Sequence, residues 1–157
     1  MTAFRRILVP HDFSKHATRA LRTAAELLAP GGRLVVLHVV VPILPVADIT
    51  TASLVSYVSP EELVRNAKRQ LARAIDRTLP AKLRARVEAK VAVGDPHLRI
   101  LAEARDVDLI VMSTAGRTGL AHLLIGSVAE KVVRHSPVPV LTFRPRAARP
   151  AAKKPAR

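Results

Sequence analysis

The sequence contains no cysteine and no tryptophan, and its 157 residues include one tyrosine and three phenylalanines. Without cysteine the chain can form neither a disulfide framework nor a thiolate metal site, so secretion gains no support. No apolar run reaches the roughly 18 residues that a membrane-spanning helix needs. The N-terminal sequence MTAFRRILVPHDFS lacks the apolar core of a signal peptide. We therefore expect a cytoplasmic protein.

Two common nucleotide-binding motifs are also missing. The absence of Gly-x4-Gly-Lys-Ser/Thr excludes a Walker A loop, and the absence of Gly-x-Gly-x2-Gly disfavours a dinucleotide site. The six histidines show no spacing diagnostic of a metal site, so no metal is predicted. His11, Asp12 and Ser14 are too close along the chain to be interpreted as a catalytic triad. We therefore predict no catalytic residue from the sequence.

The apolar residues that are present make up 49% of the chain, enough for the core of one globular domain. Apolar runs and helical periodicities alternate along the sequence. The predicted strands are 4–10, 33–41, 87–93, 109–112 and 138–143, and the predicted helices are 15–28, 59–78, 97–105 and 127–134. Such alternation predicts an α/β fold with a doubly wound, Rossmann-like parallel sheet and helices on both faces.

The most informative segment is 111–143, which reads VMSTAGRTGLAHLLIGSVAEKVVRHSPVPVLTF. A strand leads into a loop of small residues, and Gly126 then opens a new helical pattern. Glycines allow backbone N–H groups to approach phosphate oxygens closely, and the N-terminus of a helix favours negative charge. The Ser127 hydroxyl is expected to cap this helix or to donate to a phosphate. The segment therefore predicts an anion site.

This segment resembles the nucleotide-binding branch of the universal stress protein family. The family spacing Gly-x2-Gly-x9-Gly-Ser/Thr is met by Ser113, Gly116, Gly126 and Ser127, with serine in the first position. Further family landmarks occur in order: ILVPHDFS at 7–14, LHVV at 37–40, GDP at 94–96, DLIVM at 108–112 and GSVAEKVVRHSPVPVL at 126–141. The resemblance implies a single domain over residues 1–144 and a five-stranded sheet of order 3-2-1-4-5.

The resemblance also implies that ATP, alone or with Mg²⁺, binds at the carboxyl ends of the first and fourth strands. The implied nucleotide-binding residues are Pro10, Asp12, Val39, Met112, Ser113, Gly116, Arg117, Gly126, Ser127 and Val128. Within this set, Asp12 and Val39 would contact the adenosine and Arg117 a phosphate. Each has an ordinary alternative: Asp12 as a favourable residue at the start of the first helix, Val39 as strand core, and Arg117 as a solvated loop cation.

The implied function is an ATP-binding regulatory module of the stress response with little or no turnover. Serine at position 113 leaves open a nucleotide-free stress protein that acts through dimerisation and partner binding. A slow ATPase or phosphotransferase is a third hypothesis, for which no water-positioning residue can be named. The fifth strand is predicted to form a sheet edge, where apolar residues invite a homodimer, as in family members.

A formal net charge of +14 raises a fourth hypothesis, an accessory protein on nucleic acid. The last fourteen residues, RPRAARPAAKKPAR, hold six basic residues and no acidic one, and we expect 145–157 to be a disordered tail. A second basic feature is a stripe on the second predicted helix, formed by Arg65, Lys68, Arg69, Arg73 and Arg77. Because no aromatics interleave with this stripe, a solvated helix face explains it better than a nucleic-acid surface.

Overall fold

The computed structural model describes residues 4–42, 59–114 and 126–143. The strands in these ranges are β1 (Phe4–Pro10), β2 (Leu28–Val40), β3 (Val87–Val93), β4 (Leu109–Ser113) and β5 (Val140–Phe143). The helices are α1 (Lys15–Leu27), α2 (Pro60–Thr78), α3 (Ala81–Arg84), α4 (Pro96–Glu103) and α5 (Ser127–His135), and a 3-10 helix, Ala104–Asp106, follows α4. No helix within these ranges is long and apolar enough to cross a membrane.

The strands form one parallel sheet in the order β3-β2-β1-β4-β5. This confirms the predicted fold class and strand order. The chain moves outward in one direction from β1 to β3 and then crosses to β4 on the other side of β1. The topological switch point therefore lies between β1 and β4, and in open α/β sheets ligands bind beyond the carboxyl ends of the strands at such a point.

Side chains alternate along each strand and build two cores, one on each face of the sheet. On the α1–α2 face, Ile7 and Val9 pack with residues of α1 and α2 such as Leu21 and Leu71. On the opposite α4–α5 face, Leu8 packs with residues of α4 and α5 such as Val132. Burying each such side chain contributes about 1.5–3 kcal/mol, so the alternation fixes which face every strand residue takes.

Two serines begin helices at the positions that the sequence predicts. The Ser14 Oγ accepts a hydrogen bond from the backbone N–H of Ala17 at 3.1 Å, and the Ser59 Oγ accepts one from that of Glu62 at 3.2 Å. Pro60 occupies the first turn of α2, where its missing N–H costs nothing. Each cap is worth about 1 kcal/mol, and together they set the direction in which both helices leave the carboxyl edge of the sheet.

The predicted boundary between the first helix and the second strand is wrong. Proline and two glycines predict a break at 30–32, yet β2 already begins at Leu28 and continues through them. Tertiary contacts hold this segment against the sheet, because Arg86 donates hydrogen bonds from its guanidinium to the carbonyl oxygens of Ala29 and Gly32. A Cβ at Gly32 would lie 2.7 Å from the carbonyl oxygen of Arg5, so glycine is what permits the close approach to β1.

Three smaller differences concern element ends. The fifth strand was expected from residue 138 but begins at Val140, because Pro137 and Pro139 have no N–H to donate to a ladder. The helix predicted at 97–105 ends as α-helix at Glu103, and its last turn tightens to 3-10 geometry. The four-residue α3 has no counterpart in the prediction, since it is too short to show a periodicity.

Candidate functional site

The candidate site lies where β1 and β4 end beside each other. These strands pair at Ile7–Leu109 and Leu8–Ile110. Beyond Leu8, β1 stays paired with β2, and Leu37 lies opposite Pro10. The backbone N–H of the next residue, His11, donates to the carbonyl oxygen of Leu37 at 2.8 Å. A crevice therefore opens at the carboxyl edge, with the turn after Pro10 on one side and the end of β4 on the other.

Thr114 joins three elements at the β4 side of this crevice. Its backbone N–H donates to the carbonyl oxygen of Phe143 at 2.9 Å, and its hydroxyl donates to the same oxygen at 3.1 Å. Its own carbonyl oxygen accepts from the N–H of Gly126 at 2.8 Å. Thr114 thus ties the ends of β4 and β5 to the start of α5, and it is buried. No nucleotide-site prediction included it, although its hydroxyl directly after a buried strand was a usable signal.

The start of α5 is open to an anion. Gly126 is the N-cap and supplies no side chain, and no described side chain caps this helix. The N–H groups of the first turn are therefore available, and the dipole of the helix directs positive potential toward the crevice. Of the two roles expected for the Ser127 hydroxyl, capping the helix is not observed, because Ser127 is the first helical residue. Its exposed hydroxyl remains available to a ligand.

Close packing makes glycine necessary at the N-cap. A Cβ placed on Gly126 would lie 2.8 Å from the carbonyl oxygen of Thr114, closer than real Cβ atoms approach a backbone oxygen. Any larger residue must push α5 away from the end of β4. The glycine that the sequence motif identified therefore sets the distance between the helix N-terminus and the strand.

Apolar residues of the predicted set share one face of the sheet. Met112 belongs to the core of the α4–α5 face, and Val39 and Val128 pack against that core. Strand alternation places Pro10, two residues after Leu8, on the same face. These four residues come from β1, β2, β4 and α5, so the fold places on one face apolar residues that no local pattern groups, with Met112 buried in the core.

Ser113, which takes the place of the first motif glycine, is the last residue of β4 and pairs with Phe143 of β5. Extended backbone of this kind suits serine as well as glycine, because only positive φ values favour glycine strongly. Gly116 and Arg117, also in the predicted set, lie outside the described residues.

Asp12 occupies the turn between β1 and α1. Its Oδ1 accepts a hydrogen bond from the backbone N–H of Ser14 at 3.0 Å, and the side chain is half-buried. This bond orients the carboxylate at the carboxyl edge, close in sequence to Pro10 and to the helix cap. The structural role in the turn and a role in ligand binding are compatible, since a carboxylate has a second oxygen.

Two buried histidines also lie at this edge, on the α1–α2 face. Burial lowers the pKa of His11 to about 4, with Asp12 opposing and His38 adding to the effect. The Nδ1 of His11 accepts from the backbone N–H of Phe13 at 3.1 Å, and Phe13 adopts a φ of 68° to allow it. Sequence reasoning did not assign these residues a role, although alternation past Val9 and Val36 would have placed both on one face. Within the described ranges, no three His, Asp or Glu side chains converge as metal ligands.

Comparison with known proteins gives consistent matches along the whole domain. The model of the universal stress protein family matches residues 3–144. The universal stress protein in the QAH/OAS sulfhydrylase 3′ region of Thermus aquaticus is 35% identical over 153 residues, covering 90% of this chain and 99% of that one. The solved structure of MJ0577, a Methanocaldococcus jannaschii universal stress protein, superposes with a TM-score of 0.74 at 27% identity, covering 94% of this chain and 100% of that chain.

Two more distant solved structures share the fold and contain an adenine nucleotide. One is a universal stress protein in complex with cAMP, with a TM-score of 0.61 at 23% identity, covering 91% of this chain and 98% of that chain. The other is an Arabidopsis thaliana family protein with AMP bound, with a TM-score of 0.54 at 22% identity, covering 96% and 95%.

Proposed function

The chain belongs to the universal stress protein family, and from that premise we propose that it is an ATP-binding regulatory module with little or no turnover. The nucleotide would occupy the crevice at the carboxyl ends of β1 and β4. Its phosphates would lie at the start of α5 and its adenosine on the apolar surface formed by Pro10, Val39 and Met112.

The observation that carries this proposal is the uncapped N-terminus of α5. The backbone N–H of Gly126 donates a 2.8 Å hydrogen bond to the carbonyl oxygen of Thr114, which follows β4. This bond holds the first turn of α5 beside the switch point of the sheet. Backbone N–H groups that no described side chain satisfies are a ready-made phosphate site. The hydroxyl of Ser127 adds a donor beside them.

The adenosine end is supported by the way side chains converge. Val39 and Met112 present apolar surface on the α4–α5 face, the same face on which Val128 lies at the start of α5. The Asp12 carboxylate, oriented by Ser14, offers an acceptor for a ribose hydroxyl or the adenine amine. The cAMP and AMP complexes of two neighbours support the choice of an adenine nucleotide for this fold.

The nucleotide-free alternative rests on serine in the first motif position. Its main physical argument, that serine cannot replace a glycine in an unusual backbone conformation, does not apply to a residue inside a strand. No described residue of the crevice is an evident general base or activated nucleophile, so ATP should be bound rather than consumed. An enzyme hypothesis therefore has no observation to favour it.

We also propose a homodimer through β5. This strand lies at the edge of the sheet, paired on one side with β4, and Leu141 is exposed on it. Edge strands with apolar side chains tend to pair with another chain. Two copies related by a two-fold axis would form a self-complementary contact.

Isothermal titration calorimetry of the full chain with ATP, ADP and AMP, with and without Mg²⁺, tests the nucleotide site. We expect one ATP per chain, and we expect Asp12→Asn to weaken ATP binding at least about tenfold through loss of a charged acceptor. Asp106→Asn is the matched control, because it makes the same change at an exposed position in the 3-10 helix. Absence of ATP binding to wild type at millimolar concentration would establish the nucleotide-free alternative instead.

A further inference from the structure

We infer that the chain has a second ligand site, distinct from the proposed nucleotide crevice: a basic cleft between α1 and α2 that binds a multivalent oxyanion, such as a small phosphorylated molecule. The cleft encloses about 300 Å³, and it is lined on both sides by arginine. Its volume suits a small ligand rather than a folded partner.

The cleft and the nucleotide crevice lie on opposite faces of the sheet. His11 and Phe13 line the cleft at its carboxyl end. Phe13 packs against the core of the α1–α2 face, and its ring contacts those of His11 and His38 with centroids 5.7 Å and 4.2 Å away. Val39 and Met112, by contrast, belong to the α4–α5 face. The cleft is therefore separate from the proposed nucleotide crevice.

Three arginines line the cleft. Arg73 and Arg77 are four residues apart on α2 and therefore on one side of that helix, and Arg22 comes from α1. None of the three forms a salt bridge with a residue of the described ranges. Like charges that line one cleft repel one another, and an anion bound among them offsets the repulsion. Arg77 also lies in the last turn of α2, where a cation is favourable by itself. Arg22 and Arg73 have no such local explanation, so they are the stronger evidence for an anion site.

The remaining lining supplies neutral donors and a planar apolar surface. Gln70 lies one turn before Arg73 on the same side of α2, and it can donate through its amide. At the carboxyl end of the cleft, His11 is only 3% exposed, and its Nε2 has no hydrogen-bond partner among the described residues. Because Nδ1 of this ring accepts from Phe13, Nε2 carries the proton of the neutral ring and is a donor without an acceptor. A buried donor of this kind is what an acceptor-rich ligand would satisfy.

The structure divides the basic stripe that the sequence placed on the second helix. All four side chains are exposed, but Arg73 and Arg77 line the cleft and Arg65 and Lys68 do not. Guanidinium groups bind phosphate through two parallel hydrogen bonds, so three of them suit an anion with two linked phosphates better than a single one. A solvated helix face would not discriminate between the two pairs.

Titration calorimetry with inorganic pyrophosphate as the probe tests this site on the full chain. We expect pyrophosphate to bind the cleft of wild type with a dissociation constant below about 1 mM, and we expect this binding to weaken as salt rises. The variant Arg73→Gln/Arg77→Gln should bind at least about tenfold more weakly. The variant Arg65→Gln/Lys68→Gln removes the same two charges from the same helix outside the cleft and should bind like wild type. All four positions are exposed, and glutamine has a similar helix propensity, so thermal unfolding should show that both variants remain folded.

Gly126→Ala separates this inference from the proposed nucleotide function. It displaces the start of α5 and should leave pyrophosphate binding to the cleft intact. Loss of pyrophosphate binding in Gly126→Ala, with retention in Arg73→Gln/Arg77→Gln, would place the anion in the nucleotide crevice and overturn the inference. Equal weakening of pyrophosphate binding in Arg73→Gln/Arg77→Gln and in Arg65→Gln/Lys68→Gln would mean that net charge alone causes the effect, and it would overturn the inference too. If pyrophosphate does not bind but a single-stranded oligonucleotide binds in a way that needs Arg73 and Arg77, the surface is a nucleic-acid contact and not a small-molecule site.

Discussion

His38 donates a hydrogen bond from its Nδ1 to the carbonyl oxygen of His11 across 2.7 Å. This bond joins the ends of β1 and β2 at the point where the chain turns away from the sheet. Both histidines are buried, and the ring of Phe13 contacts the rings of both. The carboxyl edge beside the switch point is thus held by a contact between two residues 27 positions apart, which positions Asp12 for the crevice.

Stability should fall in mild acid because of His11. Its pKa is lowered to about 4 in the folded chain by burial, against 6.5 in the unfolded chain. As the pH falls below 6.5, the unfolded chain takes up a proton on His11 and the folded chain does not. The free energy of unfolding therefore decreases progressively from pH 6.5 to pH 4. Between pH 7.5 and pH 5 this amounts to about 2 kcal/mol for this residue. Urea unfolding of wild type and His11→Gln at both pH values measures it.

The difference between the two proteins isolates His11, because all other titrating groups are shared. His16→Gln is the matched control, since His16 is not fully buried. If His11→Gln loses as much stability as wild type between the two pH values, folding does not lower the pKa of His11.

Gly126→Ala should weaken ATP binding at least tenfold and lower the free energy of unfolding by about 1–3 kcal/mol. The added Cβ would otherwise lie 2.8 Å from the carbonyl oxygen of Thr114, so α5 has to move away from β4. Calorimetry under conditions where the variant is fully folded, as judged by circular dichroism, separates the two effects. Ser127→Ala keeps the backbone N–H groups and should lose less affinity than Gly126→Ala. The reverse order would show that the hydroxyl, not the helix N-terminus, holds the ligand.

Leu141→Asp should convert a dimer into monomers. Leu141 lies on the edge strand β5 and is 36% exposed. In an antiparallel pair about a two-fold axis its two copies would lie near each other, and two carboxylates there repel. Light scattering at a protein concentration of about 10–100 µM, which favours association, measures the mass of the particle in solution. Leu98→Asp makes the same change on α4, at a leucine that is 59% exposed, and should stay dimeric. A monomeric wild type at these concentrations rules out the arrangement.

Removal of residues from Arg146 onward should leave the melting temperature unchanged within about 2 °C. The deleted residues are only Ala, Pro, Arg and Lys, which have no apolar face to bury. Any effect should instead appear as weaker, salt-sensitive binding to nucleic acid or to acidic partners. Thermal unfolding followed by circular dichroism checks the first expectation. A drop of several degrees would mean that the tail docks on the domain.

The start of each long helix could be predicted because its cause is local. Ser14 and Ser59 cap helices whose apolar periodicity begins within a few residues, and the hydrogen bond that forms the cap spans three residues. The end of the first helix could not be predicted in this way. Arg86 holds the segment after Leu27 in the sheet from 54 positions away, and no window of sequence contains both partners.

The sequence by itself determined the α/β class, the serine caps of α1 and α2, and the glycine at the start of α5, because periodicity, capping and the motif spacing act over short distances. The crevice depends on more. Thr114 meets Gly126 and Phe143 only after the sheet forms, and the face taken by Val39 and Met112 follows from pairing register. The same folding brings Arg22 across from Arg73. Contacts between residues far apart in the chain form only when hydrophobic burial has fixed the layers, so the tertiary structure alone decided which side chains share a site.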